Sequence, residues 1–320
     1  MYQAHTVAVI MPALNEERLI ARALAAVPSW VDRIFVVDDG SRDRTSTLTR
    51  QIAARDARVK LLRHPRTRGV GRSLGHGYLA SRHEGWDLTV VMAGDAQMDP
   101  RDLPGLLEPL VRGRADYVKG ERFSDPRVCG KMPRHRWLGN HLLAWLTPLA
   151  TGFYHLTDPQ CGYTALGRRA LAALPWPNLL PGYGYNAQIL YFLYRGGFRV
   201  AEAPVAAVYG EERSKIRLAP YALHIMRLLT ALAWQRWRFL AGFAAGRRVR
   251  RAYQATAGGV VLALAGSAWD PAAATWGCVL ALAGLGVARG RDLTLGRALA
   301  QGREAAGAGS PGPASGPAGD

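Results

Sequence analysis

Through the first 120 residues, short β-prone runs alternate with longer stretches whose apolar positions recur at helical spacing. The runs are Val7–Met11, Ile34–Val37, Val59–Leu62, Leu88–Met92 and Tyr117–Lys119. The helical stretches are Glu16–Ala26, Thr45–Ala54, Arg72–Glu84 and Pro100–Arg112. Ile34-Phe35-Val36-Val37 has no polar interruption, which predicts a strand covered on both faces, as in a parallel sheet. Alternation at this period predicts an α/β domain. The loop Gly69-Val70-Gly71-Arg72-Ser73-Leu74-Gly75 reads GxGxxxG, which is not the dinucleotide fingerprint GxGxxG. It predicts a glycine turn that opens a helix against the sheet.

Further along, residues 134–151 and 183–194 read as helices and 198–204 as a strand. A helix over 220–240 is mostly apolar, and its His224, Arg227, Gln235 and Arg238 recur on one narrow side. That pattern suits a helix lying in a membrane interface; packing on a core is the alternative. Residues 252–269 and 272–288 are almost free of charge, each near the lower limit of about 17 residues for a spanning helix. Asp270-Pro271 offers a turn between them, and arginines flank both outer ends, so a helical hairpin with both ends cytoplasmic is expected. A buried soluble hairpin remains the alternative. The predicted organisation is therefore a catalytic domain over 1–212, basic interface helices over 213–251, a hairpin over 252–290, and a tail over 291–320 that ends in disordered Gly, Pro, Ala and Ser.

Charge sharpens this division. The chain carries a net charge of +17, and between Arg213 and Trp269 there are ten Lys or Arg and no acid. The excess sits beside the apolar runs, so it points to a membrane surface and argues against a nucleic-acid-binding protein. Met1–Thr6 is short and polar and resembles no signal peptide. Three scattered cysteines and eight histidines without ligand spacing predict neither a disulfide framework nor a zinc site.

Candidate chemistry lies where the predicted strands end. Ile34–Val37 runs onto Asp38-Asp39-Gly40-Ser41, and Leu88–Met92 onto Ala93-Gly94-Asp95-Ala96-Gln97-Met98-Asp99-Pro100. The first strand runs onto Pro12-Ala13-Leu14-Asn15-Glu16. Each segment alone could be ordinary helix-capping chemistry, and Asp99 before Pro100 is read that way. Together they put acids and amides along the carboxyl edge of one sheet, where open α/β folds bind ligands. Asp95 and Gln97 are two apart; in extended chain they would point the same way and offer two oxygens to one divalent cation.

These three segments together resemble the family 2 glycosyltransferases of GT-A fold. Thr157-Asp158-Pro159-Gln160-Cys161-Gly162-Tyr163, Glu202-Ala203-Pro204-Val205 and Arg213-Ser214-Lys215-Ile216 are similar to the dolichol-phosphate mannose synthase-like branch. The likeness covers about residues 5–240. It implies a Rossmann-like nucleotide-sugar-binding domain and transfer of a hexose from a GDP- or UDP-sugar to a polyprenyl phosphate at the cytoplasmic membrane face. It further implies that Pro12, Asn15, Glu16, Asp38 and Asp39 line the nucleoside pocket. Asp95 and Gln97 would meet Mg²⁺ or Mn²⁺ on the donor diphosphate. Arg122, Arg134 and Arg136 would bind the acceptor phosphate, with Lys215 near the reacting phosphates. Arg and Lys suit phosphate on general grounds as well.

Two positions depart from the family pattern. Ala93 stands where an Asp often precedes the metal Asp, and Gln188 where relatives tend to carry Glu. A single displacement on an acceptor that is already an anion needs little base catalysis and inverts the anomeric centre. The alternatives are a soluble glycosyltransferase acting on a hydroxyl, and a non-catalytic nucleotide-sugar-binding scaffold.

Overall fold

The computed structural model describes residues 1–124, 134–206, 218–242 and 247–256, with short stretches between 285 and 301. In chain order the elements are β1 (Val7–Ala13), α1 (Ile20–Ala26), β2 (Arg33–Asp38), α2 (Thr45–Ala53), β3 (Val59–Arg63), α3 (Val70–Glu84), β4 (Leu88–Val91), α4 (Leu103–Val111) and β5 (Tyr117–Glu121). They continue with α5 (Arg134–Thr151), β6 (Thr164–Gly167), α6 (Arg168–Ala173), α7 (Tyr185–Arg195), β7 (Val200–Pro204) and α8 (Leu218–Ala241).

The strands form one sheet in the order β3-β2-β1-β4-β6-β5-β7. β1 runs parallel to β2 and β4, β2 to β3, and β5 to β7; β6 is antiparallel to β4 and β5. Successive residues of β1 go to opposite faces, as the pleat requires. Val7, Val9 and Met11 join Ile20 and Leu24 of α1 and Leu103, Leu106 and Leu107 of α4. Ala8 and Ile10 join Leu74 and Tyr78 of α3 and Ile189, Leu190 and Leu193 of α7. Ile34–Val37 is wholly buried, as the unbroken apolar run predicts.

The sheet is mostly parallel, but it contains the antiparallel β6, which the hydrophobic pattern did not announce. Four residues, Thr-Ala-Leu-Gly, carry little β signal, and tertiary pairing with β4 and β5 decides their conformation. The first helix also starts later than Glu16. The carbonyl of Glu16 accepts the N–H groups of Leu19 and Ile20, and regular helix begins at Ile20. The glycine-rich loop does open a helix, α3. A Cβ on Gly71 would lie 1.8 Å from the Leu180 carbonyl oxygen, and one on Gly75 would lie 2.6 Å from that of Trp176. These glycines are explained by close backbone packing.

The described residues fall into two compact units, split after Arg236, with 195–197 grouped with the second. In the first unit, α8 buries Ile225, Leu229 and Leu232 against Ala150, Ala187 and Tyr191. Its other side exposes Leu223 (54%), Met226 (42%) and Trp234 (62%). Core packing and an exposed apolar face thus coexist on one helix. In the second unit, the Arg250 guanidinium lies 4.7 Å from the Trp237 ring centre, and the Tyr253 hydroxyl donates to Asp292 at 2.9 Å. Among the described residues no helix is long and apolar enough to cross a membrane. Residues 257–284, which make up most of the expected hairpin, lie outside the described residues, as does the tail from 302.

Candidate active site

The strand order reverses direction at β1, with β2 and β3 on one side and β4 on the other, which makes the β1/β4 boundary a topological switch point. Backbone bonds draw the strand ends together there. The Asp39 N–H donates to the Ala13 carbonyl at 2.9 Å, and the Gly94 N–H donates to that of Pro12 at 3.1 Å. The sequence after β2 and the sequence after β4 therefore flank Pro12-Ala13.

The loops after β1 and β2 are stitched to each other. The Asn15 N–H donates to Ser41 Oγ (2.9 Å), that of Glu16 to Thr45 Oγ1 (2.8 Å) and that of Glu17 to Asp43 Oδ2 (3.1 Å). In return Asn15 Oδ1 accepts the Arg42 N–H (2.9 Å) and Glu17 Oε2 that of Arg44 (3.1 Å). Burial works to raise the Asp43 carboxyl pKa, but bonds from the Thr45 hydroxyl and N–H and the Glu17 N–H outweigh it and hold it below the usual range. Asn15 sits at φ +55°, a left-handed conformation that asparagine tolerates. Ser41, Asp43 and Thr45 thus act as braces that shape the Asn15-Glu16 turn.

The two acids of the doublet differ in surroundings. Asp38 is fully buried. Its carboxylate accepts the Ser41 N–H at 2.8 Å and the Ser46 hydroxyl, with Arg63 Nε 3.5 Å away. Asp39 Oδ1 accepts the Arg68 N–H (2.9 Å) and its Oδ2 the Gly69 N–H (2.8 Å). The ring nitrogen Nδ1 of His64 lies 2.8 Å from Asp39 Oδ1, and His64 Nε2 lies 3.1 Å from Nδ1 of His76. No sequence motif pointed to His64 or His76; the available signal was a His one residue past a strand.

After β4 the chain turns; it does not extend. Ala96 lies at φ +56°, and Asp95 Oδ1 accepts the Gln97 N–H at 3.1 Å. The argument that extended spacing aligns Asp95 and Gln97 is therefore corrected: a tight turn, held by a left-handed alanine, brings the two residues together. Both side chains are half-buried. A carboxylate and an amide oxygen fit a hard divalent cation that keeps its other positions for water and phosphate oxygens. Among the described residues no group of three or more His, Cys, Asp or Glu could hold a metal by itself. Asp99 caps the following turn by accepting the Arg101 N–H at 2.9 Å. That turn also meets the start of β6, where the Tyr163 hydroxyl donates to the Asp99 carbonyl at 2.9 Å.

On the far side of β4, Arg122 follows β5 and grips the fully buried Asp158 through Nε (2.6 Å) and Nη2 (3.0 Å). Glu202 accepts the N–H groups of Thr157 (2.8 Å) and Asp158 (2.9 Å), so two of the resembling segments brace each other. Lys119 is wholly buried and donates to the Cys161 carbonyl (2.7 Å) and Asn186 Oδ1 (2.9 Å); burial pulls its pKa down to about 8. Gln188 joins Leu180 N–H and the Asn178 carbonyl, at 2.7 and 3.0 Å, and so fixes that loop. Arg134 and Arg136 lie in the first turn of α5, with their side chains outside the described residues, as is Lys215.

An acid-rimmed switch point on a sheet of this order is the architecture of an α/β enzyme that binds its ligand at the strand ends. The chain belongs to glycosyl transferase family 2, whose pattern matches residues 8–174, more than half of the 320, and it is a glycosyltransferase. It is 27% identical over 215 residues to the UDP-N-acetylglucosamine--dolichyl-phosphate N-acetylglucosaminyltransferase of Methanococcus voltae, covering 63% of this chain and 85% of that protein. It is 31% identical over 208 residues to the undecaprenyl-phosphate mannosyltransferase of Micrococcus luteus, covering 63% and 83%. The fold is similar to that of glucosyl-3-phosphoglycerate synthase from Mycobacterium tuberculosis, with a TM-score of 0.54 and 24% identity over 72% of this chain and 79% of that one. That enzyme was crystallised with Mn²⁺ and uridine diphosphate, and also with Mg²⁺.

Proposed function

We propose that this glycosyltransferase moves a hexose from a nucleotide sugar to a polyprenyl phosphate at the cytoplasmic face of a membrane, inverting the anomeric centre. The observation that carries the reading is the meeting of the Asp39 and Asp95 turns on either side of Pro12-Ala13, at the switch point of the sheet. Pro12, Asn15, Glu16 and Asp39 line the nucleoside pocket, and Asp38 fixes the turn beneath them. Asp95 and Gln97 would hold Mg²⁺ or Mn²⁺, which when bound offsets charge on the departing diphosphate. Arg122, held in place by Asp158, joins Arg134, Arg136 and Lys215 in orienting the acceptor phosphate. The acceptor oxygen is already anionic, so the protein's task is to align it with the sugar carbon and exclude water.

Two further facts support the acceptor. The similar proteins of Methanococcus voltae and Micrococcus luteus are polyprenyl-phosphate transferases by name. The exposed side of α8 also carries Leu223, Met226 and Trp234 beside Arg227, a composition suited to a headgroup boundary with anionic lipid. The test is to give the full chain, in vesicles containing polyprenyl phosphate, labelled nucleotide sugars with and without Mn²⁺ or Mg²⁺. Metal-dependent label in the organic phase is expected; label found only on water-soluble acceptors would favour a hydroxyl-directed enzyme.

A further inference from the structure

The surroundings of Asp39 bear on which nucleotide the site accepts. An ionised carboxylate offers about four acceptor positions. Three of those on Asp39 are filled from within the protein: Arg68 N–H and His64 Nδ1 on Oδ1, and Gly69 N–H on Oδ2. Arg68 and Gly69 are successive residues, so their amides fork the carboxylate with one donor to each oxygen. A base with two parallel donors would make the same fork.

His64 completes the set. A carboxylate only accepts, so His64 Nδ1 must carry a proton toward Asp39, and His64 Nε2 shares a second hydrogen with His76 Nδ1. The two ring centres are 5.3 Å apart with 8° between their planes, so the rings meet edge to edge through that bond. Burial, with His64 and Arg68 adding to it, lowers the His76 pKa and favours its neutral ring. Arg72, one turn earlier on α3, is directed onto the Pro177 carbonyl. His64 is thereby kept as a donor to Asp39. The loop can lie this close because Gly40 has no side chain: a Cβ there would stand 2.6 Å from the Arg66 carbonyl carbon.

One acceptor position is left, on Oδ2. Guanine presents two adjacent donors, N1–H and N2–H, which pair with both oxygens of a carboxylate; uracil presents one, N3–H, between two carbonyls. We propose that Asp39 reads a single ring N–H, so that the donor is a uridine diphosphate sugar and not a guanosine diphosphate sugar. This rests on the placement of Asp39 against the nucleobase given under the proposed function. A guanine in the same place would leave one buried donor unpaired or displace a main-chain amide, and either loss weakens binding about tenfold or more.

The test uses the unaltered full chain in detergent with Mn²⁺, titrated calorimetrically with uridine diphosphate, guanosine diphosphate and N3-methyluridine diphosphate. Uridine diphosphate is expected to bind at least tenfold more tightly than each of the other two. If guanosine diphosphate binds within tenfold of it, or better, while N3-methylation still weakens binding, the inference falls and the placement of Asp39 stands. If the N3-methyl analogue binds as well as its parent, Asp39 does not face the base, and placement and inference fall together.

Discussion

The carboxyl ends of β2 and β4 read alike in sequence, an apolar run that gives way within a few residues to acid and glycine, yet their acids sit in different surroundings. After β2, Asp38 is sealed from solvent and Asp39 nearly so, and both spend most of their acceptor positions on the protein. After β4, Asp95 remains half-buried in a turn whose middle residue, Ala96, is in a left-handed conformation. The first end is built to hold loops in one arrangement. The second puts a carboxylate where a ligand can reach it and accepts local strain in doing so, a common mark of functional turns. An acidic strand end is therefore not one kind of site; what distinguishes the two is how deeply the fold encloses the acid.

Four substitutions can break or sharpen this contrast. Asp95→Asn should lower transfer at least about a thousandfold, with a melting midpoint close to that of the unaltered chain. Near-normal turnover would remove Asp95 from the chemistry. Asp38→Ala should act on folding, costing about 2–4 kcal/mol in urea unfolding, because it strands the Ser41 amide and the Ser46 hydroxyl in a buried place. A cost near zero would erase the difference between the two ends.

The glycine and alanine positions make a finer pair. Gly40 lies at φ +77° against the Arg66 backbone, so Gly40→Ala should destabilise by about 1–3 kcal/mol, read from the same unfolding curves. Ala96→Gly should do the reverse and raise stability by about 0.5–1 kcal/mol, since glycine adopts φ +56° without steric cost. A loss of stability in Ala96→Gly would show that no relievable strain is held in that turn.

The sheet and its order of strands and helices were largely legible because strands buried on both faces leave unbroken apolar runs, as at Ile34–Val37. β6 was not, because its four residues are strand by virtue of their partners. The acids at the strand ends were legible as residues and less so as roles. Nothing local in Asp38-Asp39 tells which acid is enclosed, since that depends on Arg63, Arg68 and Gly69 arriving from the loop after β3. The same holds for Ser41, Asp43 and Thr45, whose bracing of the Asn15-Glu16 turn depends on a loop that arrives from another strand. The alignment of Asp95 with Gln97 was inferred from an extended chain that Ala96 does not allow.

Gly40 admits a loop whose peptide groups, more than its side chains, surround the Asp39 carboxylate. A property written in amides is invisible to alanine scanning: replacing Arg66 or Arg68 by alanine leaves every one of those N–H groups in place. Reprogramming which nucleotide this enzyme accepts would then mean rebuilding residues 64–69 as a unit, by changing loop length or inserting proline where an amide must be withdrawn.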